Sequence, residues 1–162
     1  MELSGKIYLL PKLAKLLVGF FVITLSFGYY TGLRFVNENT SSTVLGVEEH
    51  YLGNEADQSA VEMKFKKNEK EVITTVHNHV ISMSLIFLAL GAILLLTSIP
   101  MWLKKFLILE PFVSIILTFG GIWLMWSGVL WFKYVIIFSG TLLTLSFTLS
   151  AILILIQLFK KS

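Results

Sequence analysis

The chain has 162 residues, of which 56% are hydrophobic and 14% charged, with a net charge of +3 and no cysteine. Its mean hydropathy of +0.81 excludes an ordinary soluble domain, because a fold this small has too little interior to hide so much apolar surface, and lipid must be the solvent for much of it. The absent cysteines exclude disulfides, thiolate metal sites and thiol catalysis, and no basic stripe interleaved with aromatics supports nucleic acid as a partner.

Four stretches are long and apolar enough to cross about 30 Å of hydrocarbon at 1.5 Å per residue. The first is expected at residues 13–30, after Lys6, Lys12 and Lys15. Its apolar core is followed by Gly28-Tyr29-Tyr30-Thr31-Gly32, with no small-residue cleavage pattern, so it reads as an uncleaved anchor. A polar connection then runs over 31–75. Within it, 37–46 is rich in Asn, Ser and Thr and reads as irregular, while 47–52 suits a short helix stopped by Gly53. Asn68-Glu69-Lys70-Glu71 has the form of a capping box, an Asn followed three residues later by a carboxylate at the head of an apolar run. A helix from there through the second span, 76–98, would be about 30 residues and 45 Å long and would stand roughly two turns above the lipid. The third span is expected at 103–126 and the fourth at 132–159.

Orientation follows from lysines beside the spans. Lys6, Lys12, Lys15, Lys104, Lys105, Lys160 and Lys161 fall on one side of a four-span arrangement, whereas the connection between the third and fourth spans offers only Lys133. The 31–75 connection carries five basic and eight acidic residues. Positive-inside logic places both termini in the cytoplasm and the long loop outside. Tyr29, Tyr30, Trp126 and Trp131 would then anchor the outer interface and Trp102 the inner one. The expectation is an all-α, multi-pass four-helix bundle in the bacterial inner (cytoplasmic) membrane, a single transmembrane domain over 1–162 with the lipid bilayer as its main partner.

Small residues recur every four positions in three spans: Thr24, Gly28 and Gly32; Ser114 and Thr118; Gly140, Thr144 and Thr148. That spacing lets backbones approach closely where no hydrophobic drive brings helices together. It suits packing within one bundle, or homo-oligomerisation through one of these faces.

Chemistry points to His77-Asn78-His79, where the charged connection becomes an apolar run over 80–96. On a regular helix, residues two apart point about 200° away from each other, so the two imidazoles do not form one chelate. His79 shares its face with Thr75, Ser82 and Met83; His77 shares its face with Ile73 and Ile81. One reading is a b-type haem or a transition metal such as copper held by His79 with help from His77, His50, Met83 or Met63, in an electron-transfer subunit. Its weak point is that the first, third and fourth spans contain no histidine. A second reading makes the histidines a pH-responsive site beside Glu71 and Glu49. A third candidate is Glu110-Pro111, an intramembrane carboxylate beside a proline that frees a backbone carbonyl. It is expected near the cytoplasmic face, with Lys104 and Lys105 within reach, where the alternative to a functional site is a carboxylate that points back to water; mainly apolar residues separate it from the histidines. The phosphate-binding loop of nucleotide enzymes, the H-E-x-x-H zinc motif and the G-x-S-x-G nucleophile elbow are all missing. The polar groups do not converge as catalysis requires, and the balance favours a protein that is not an enzyme.

Tyr51-x-Gly53, the lysine-rich stretch with Glu71, and His77-x-His79-x-x-Ser82-Met83 together resemble a group of bacterial four-span membrane proteins without an established activity. The resemblance covers the outer loop and the second span and implies the four-span fold, with no catalytic role to carry over. The functional expectation is a small accessory or binding protein whose outer loop and histidine-bearing helix end dock an envelope partner or a metal centre.

Overall fold

The computed structural model describes residues 5, 7–57, 60 and 62–160. Lys6 and Lys161, which entered the charge argument, lie outside them. Among the described residues every regular element is helical, and four stretches have the length and apolarity to cross a membrane. They are α1 (Lys12–Thr40), α3 (Glu69–Leu94), the continuous third span of α4 (Met101–Ile115) and α5 (Gly121–Trp126), and α6 (Phe132–Leu158). A five-residue π-helical segment, Ile116–Gly120, joins α4 to α5. The short α2 (Val44–Leu52) lies between the first two spans.

The core is built by α3, α4, α5 and α6, with Phe87, Leu90, Leu94, Leu107, Ile115, Met125, Phe147 and Ile154 nearly inaccessible. The facing stripes of α4 and α6 are hydroxyl-rich. Ser114 and Thr118 meet a row that includes Ser139, Ser146 and Ser150, and the Thr118 and Ser139 hydroxyls bond at 2.7 Å. Small side chains let these two helices pack closely, and a methyl group added to Gly140 would reach Thr118 at 3.9 Å.

Helix α1 is peripheral. It leans on α6 and α2, and most of its large side chains, including Leu17, Phe20 and Phe27, remain exposed. Its attachment is local: Gly19 faces Leu158 and Phe159, and the Tyr29 ring stacks on Phe147 at 3.9 Å. Gly28 and Gly32 face open space, so the Thr24-Gly28-Gly32 stripe has no partner within the described chain.

This register moves the first span relative to the sequence expectation. Tyr29 Oη lies 3.4 Å from Thr144 Oγ1 and Tyr30 Oη 2.6 Å from Thr148 Oγ1. Those threonines stand about 18 and 24 Å along α6 from its start at Phe132. The tyrosines therefore sit about midway along the length of the bundle rather than at its end, Tyr29 half-buried and Tyr30 exposed on its side. The helix also runs ten residues beyond Tyr30, through most of the stretch expected to be irregular. Polar side chains there serve their own helix: Asn39 donates to the Phe35 carbonyl, Thr40 to that of Val36, and Arg34 pairs with Glu38 one turn on. The break comes at Ser41 and Ser42, both with positive φ, before Thr43 caps α2 by accepting from the Gly46 N–H.

Helix α3 begins with the capping box. Asn68 Oδ1 accepts from the Glu71 N–H at 3.0 Å, and Glu71 Oε2 accepts from the Asn68 N–H at 2.9 Å. It ends at Leu94, short of the expected 98. The turn after it bonds back to its last carbonyls and is itself held from outside: the Gly5 N–H donates to the Thr97 carbonyl, the Ile7 N–H to that of Leu96, and the buried Lys104 ammonium to Thr97 at 2.6 Å and Leu95 at 3.3 Å. A cation at a helix C-terminus also meets the negative end of the helix dipole.

Candidate functional site

Two places gather polar chemistry. The first is inside the bundle. Glu110 is half-buried on α4, and both its oxygens accept hydrogen bonds: Oε1 from the Ser114 hydroxyl one turn along the same helix, Oε2 from the Ser146 hydroxyl on α6. Both serines are 2% exposed. Ser146 stands about 21 Å along α6 from Phe132 and about 18 Å from its other end, while Glu110 lies about 13.5 Å along the third span from Met101, so the carboxylate is held well inside the length of the spans. The alternative reading, a carboxylate turned back to water beside Lys104, is thus set aside. Lys104 is only 3% exposed and binds the end of α3, while buried serines on two helices hold Glu110 inside. The residues above it are not simply apolar either. Ser114, Thr118 and Ser139 continue the hydroxyl seam towards Phe119, on which the His79 ring stacks with centroids 4.8 Å apart. The seam runs beside the π-helical segment, a local widening of the helix that recurs at functional sites.

The second place is a cap over one end of the bundle, made by α2, residues 53–57 and 62–68, and the head of α3. Gly53, with φ +80°, turns the chain out of α2, and Asn54 holds the returning strand of backbone by accepting from the Lys64 N–H at 2.7 Å and donating to the Glu62 carbonyl. The cap is fastened to the spans. Lys133 Nζ, at the start of α6, meets Glu48 Oε2 at 2.6 Å, and Trp126 Nε1, at the end of α5, donates to the Lys67 carbonyl at 2.8 Å, with the Lys66 ammonium 4.9 Å over the Trp126 ring. Tyr51 is buried beneath, and that burial pushes its phenol up to about 12.

Between the cap and the end of α1 opens a cleft of about 300 Å³, lined by Glu38, Asn39, His50, Glu62, Lys64, Phe65 and Lys67. Burial, reinforced by the nearby Lys67 and Lys64 ammonium groups, holds the His50 imidazole below its ordinary value, so it favours the neutral form. The cleft thus presents two lysines and two carboxylates around an uncharged ring. Nothing in the sequence alone brought Glu38 and Asn39 to this place; they follow from the extension of α1 beyond Tyr30.

The residues singled out from sequence are not gathered into one site. His79 Nδ1–H donates to the Thr75 carbonyl at 2.8 Å, a bond that orients the ring against Phe119. His77 is exposed two residues earlier on a regular helix. Ser82 donates to the Asn78 carbonyl of its own helix, and Met83 packs against the core. Glu71 is engaged in the capping box, and Glu49 Oε2 lies 3.9 Å from Lys64 Nζ. His50 belongs to the cleft, on a different element. Among the described residues no three of His, Asp or Glu come together as a metal-holding set. The serines around Glu110 escaped the sequence reading because a hydroxyl in a span usually signals close packing; only the pairing of 110 with 146 shows otherwise.

The model of Aq_1264_TM, a transmembrane helical domain, matches residues 41–162. The chain belongs to this family. The matched region begins at Ser41, just after α1, and contains α2 to α6 with the cap and the Glu110 clamp. The family's domain therefore coincides with the well-packed part of the molecule, and α1 is the element laid against its side. No curated protein and no solved structure matches the chain.

Proposed function

We infer that this transmembrane protein is a small, non-enzymatic accessory protein that binds an envelope protein through its cap, at the cleft beside His50 and the head of α3. The observation carrying this reading is that the cap is held to the spans by the Glu48–Lys133 pair and the Trp126–Lys67 bond. A cleft fixed in this way loses little conformational freedom when a partner docks. Its lining of Lys64, Lys67, Glu38 and Glu62 suits a polar segment carrying both signs of charge, and the exposed Phe65 and Met63 add apolar contact at its edge. In the proposed topology the cap faces the outside of a bacterial inner membrane and the lysine-flanked ends lie in the cytoplasm.

The test is site-specific photo-crosslinking in native membranes, with the photoreactive residue at Phe65 and, as a lipid-facing control, at Leu85. A discrete protein adduct from position 65 that is absent from position 85 supports the reading. A cap that captures only lipid or other copies of itself sinks it.

A further inference from the structure

An ionised carboxylate in the middle of a bilayer is costly unless something balances its charge. Among the described residues no basic side chain pairs with Glu110. Its surroundings can be taken element by element. From α1 comes the Tyr29 phenol, within electrostatic reach. The span of α3 contributes no titratable group from residue 80 onward. Helix α6 contributes hydroxyls, and its single lysine, Lys133, sits at the far end on Glu48. On α4 itself Lys104 bonds to carbonyls of the 95–97 turn, and the exposed Lys105 lies five residues back. Meanwhile oxygens accumulate. Two serine hydroxyls from different helices engage the carboxylate. Pro111 has no N–H, so the Leu107 carbonyl four residues earlier lacks its helical donor. A mere tie between α4 and α6 needs no charge, since Thr118 and Ser139 make one with neutral groups two turns away.

We propose that Glu110, with Ser114 and Ser146, is an intramembrane binding site for a small monovalent cation, Na⁺. Carboxylate and hydroxyl oxygens are the donor chemistry for such ions. The site is preformed by two packed helices, and Glu110 is half-buried rather than sealed. This inference is independent of the cap and stands or falls separately.

The experiment treats the full-length protein in lipid vesicles with a lipophilic carbodiimide and locates adducts by peptide mass spectrometry. The undissociated carboxyl adds its O–H across one N=C bond of the reagent, and the product rearranges to a stable N-acylurea. A cation on the carboxylate blocks the reaction. Labelling at Glu110 slowed about tenfold by Na⁺ near ten times its dissociation constant, and not by K⁺, identifies Na⁺. Labelling that, at fixed pH, ignores Na⁺ overturns the proposal. If the reagent does not reach Glu110, thermal unfolding of the wild type and Glu110→Gln in the same vesicles decides. A melting temperature that rises by about 5 °C with Na⁺ in the wild type only supports the site, whereas identical responses to Na⁺ overturn it.

Discussion

Gly46 is in the first turn of α2, and a Cβ there would lie 1.8 Å from the Thr40 carbonyl oxygen and 2.6 Å from its carbon. Those atoms are backbone at the end of α1, so they cannot swing aside as a side-chain tip would. The Gly46 N–H is meanwhile the group that Thr43 caps. The close approach of α1 and α2 therefore depends on a missing side chain, and it is this approach that brings Glu38 and Asn39 beside His50. Gly46→Ala is expected to cost about 2 kcal/mol or more, because relief requires moving one helix against the other. Amide hydrogen exchange should show α2 and residues 53–57 and 62–68 opening faster, with the exchange of α3 to α6 unchanged. An alanine variant whose α2 exchanges at the wild-type rate would mean the corner is not as tight as drawn. At the same scale Glu110 gains its meaning from Ser146, 36 positions away. No local pattern around residue 110 could have announced that bond.

Elements differ in how far the sequence foretold them. The third and fourth spans were legible because nearly unbroken apolar runs, interrupted by turn residues and flanked by Lys104, Lys105 and Lys160, leave a helix in lipid as the only way to satisfy the backbone. The head of α3 was legible because Asn68 and Glu71 announce their own cap. The upper third of α1 was not, because Asn37, Asn39 and Thr40 have poor helix propensity, and the bonds by which Asn39 and Thr40 satisfy their side chains on carbonyls of their own helix are invisible to composition. Nor could hydropathy show that α1 is set high against α6, since any slide along an apolar helix leaves the apolar count unchanged. The cap is where elements separated in sequence meet, and the Glu48–Lys133 pair is its clearest joint. Each partner is mostly shielded, with 22% and 23% of its side chain exposed. Glu48→Ala and Lys133→Ala should each loosen the cap, and the double variant should loosen it by less than the sum of the two. Local opening free energies from hydrogen exchange in α2 provide that cycle. Strictly additive single variants would show that the pair merely coexists.

At the scale of the molecule, α3 to α6 form the packed domain and α1 is a loosely attached span whose outward face remains apolar. This division follows the family match, which starts at Ser41. It also explains why charge matters more than packing for orientation: α1 carries Lys12 and Lys15 at one end and Arg34 beside Glu38 at the other, so the flanking lysines, rather than contacts with the bundle, bias which end stays inside. The topology built on this bias is directly testable, because the natural chain contains no cysteine and single cysteines can be introduced without background. Phe65→Cys places a thiol at an exposed position of the cap, and Lys105→Cys places one at an exposed position near the start of α4, at the opposite end of the bundle. In intact cells a membrane-impermeant maleimide should label position 65 and spare position 105, and permeabilisation should expose both. Exclusive labelling of position 105 would invert the molecule, turn the cap towards the cytoplasm and remove the case for an envelope partner, while leaving the proposed Glu110 site untouched. The two functional proposals therefore separate on one measurement, since the cap's role depends on which way the chain faces and the carboxylate's does not.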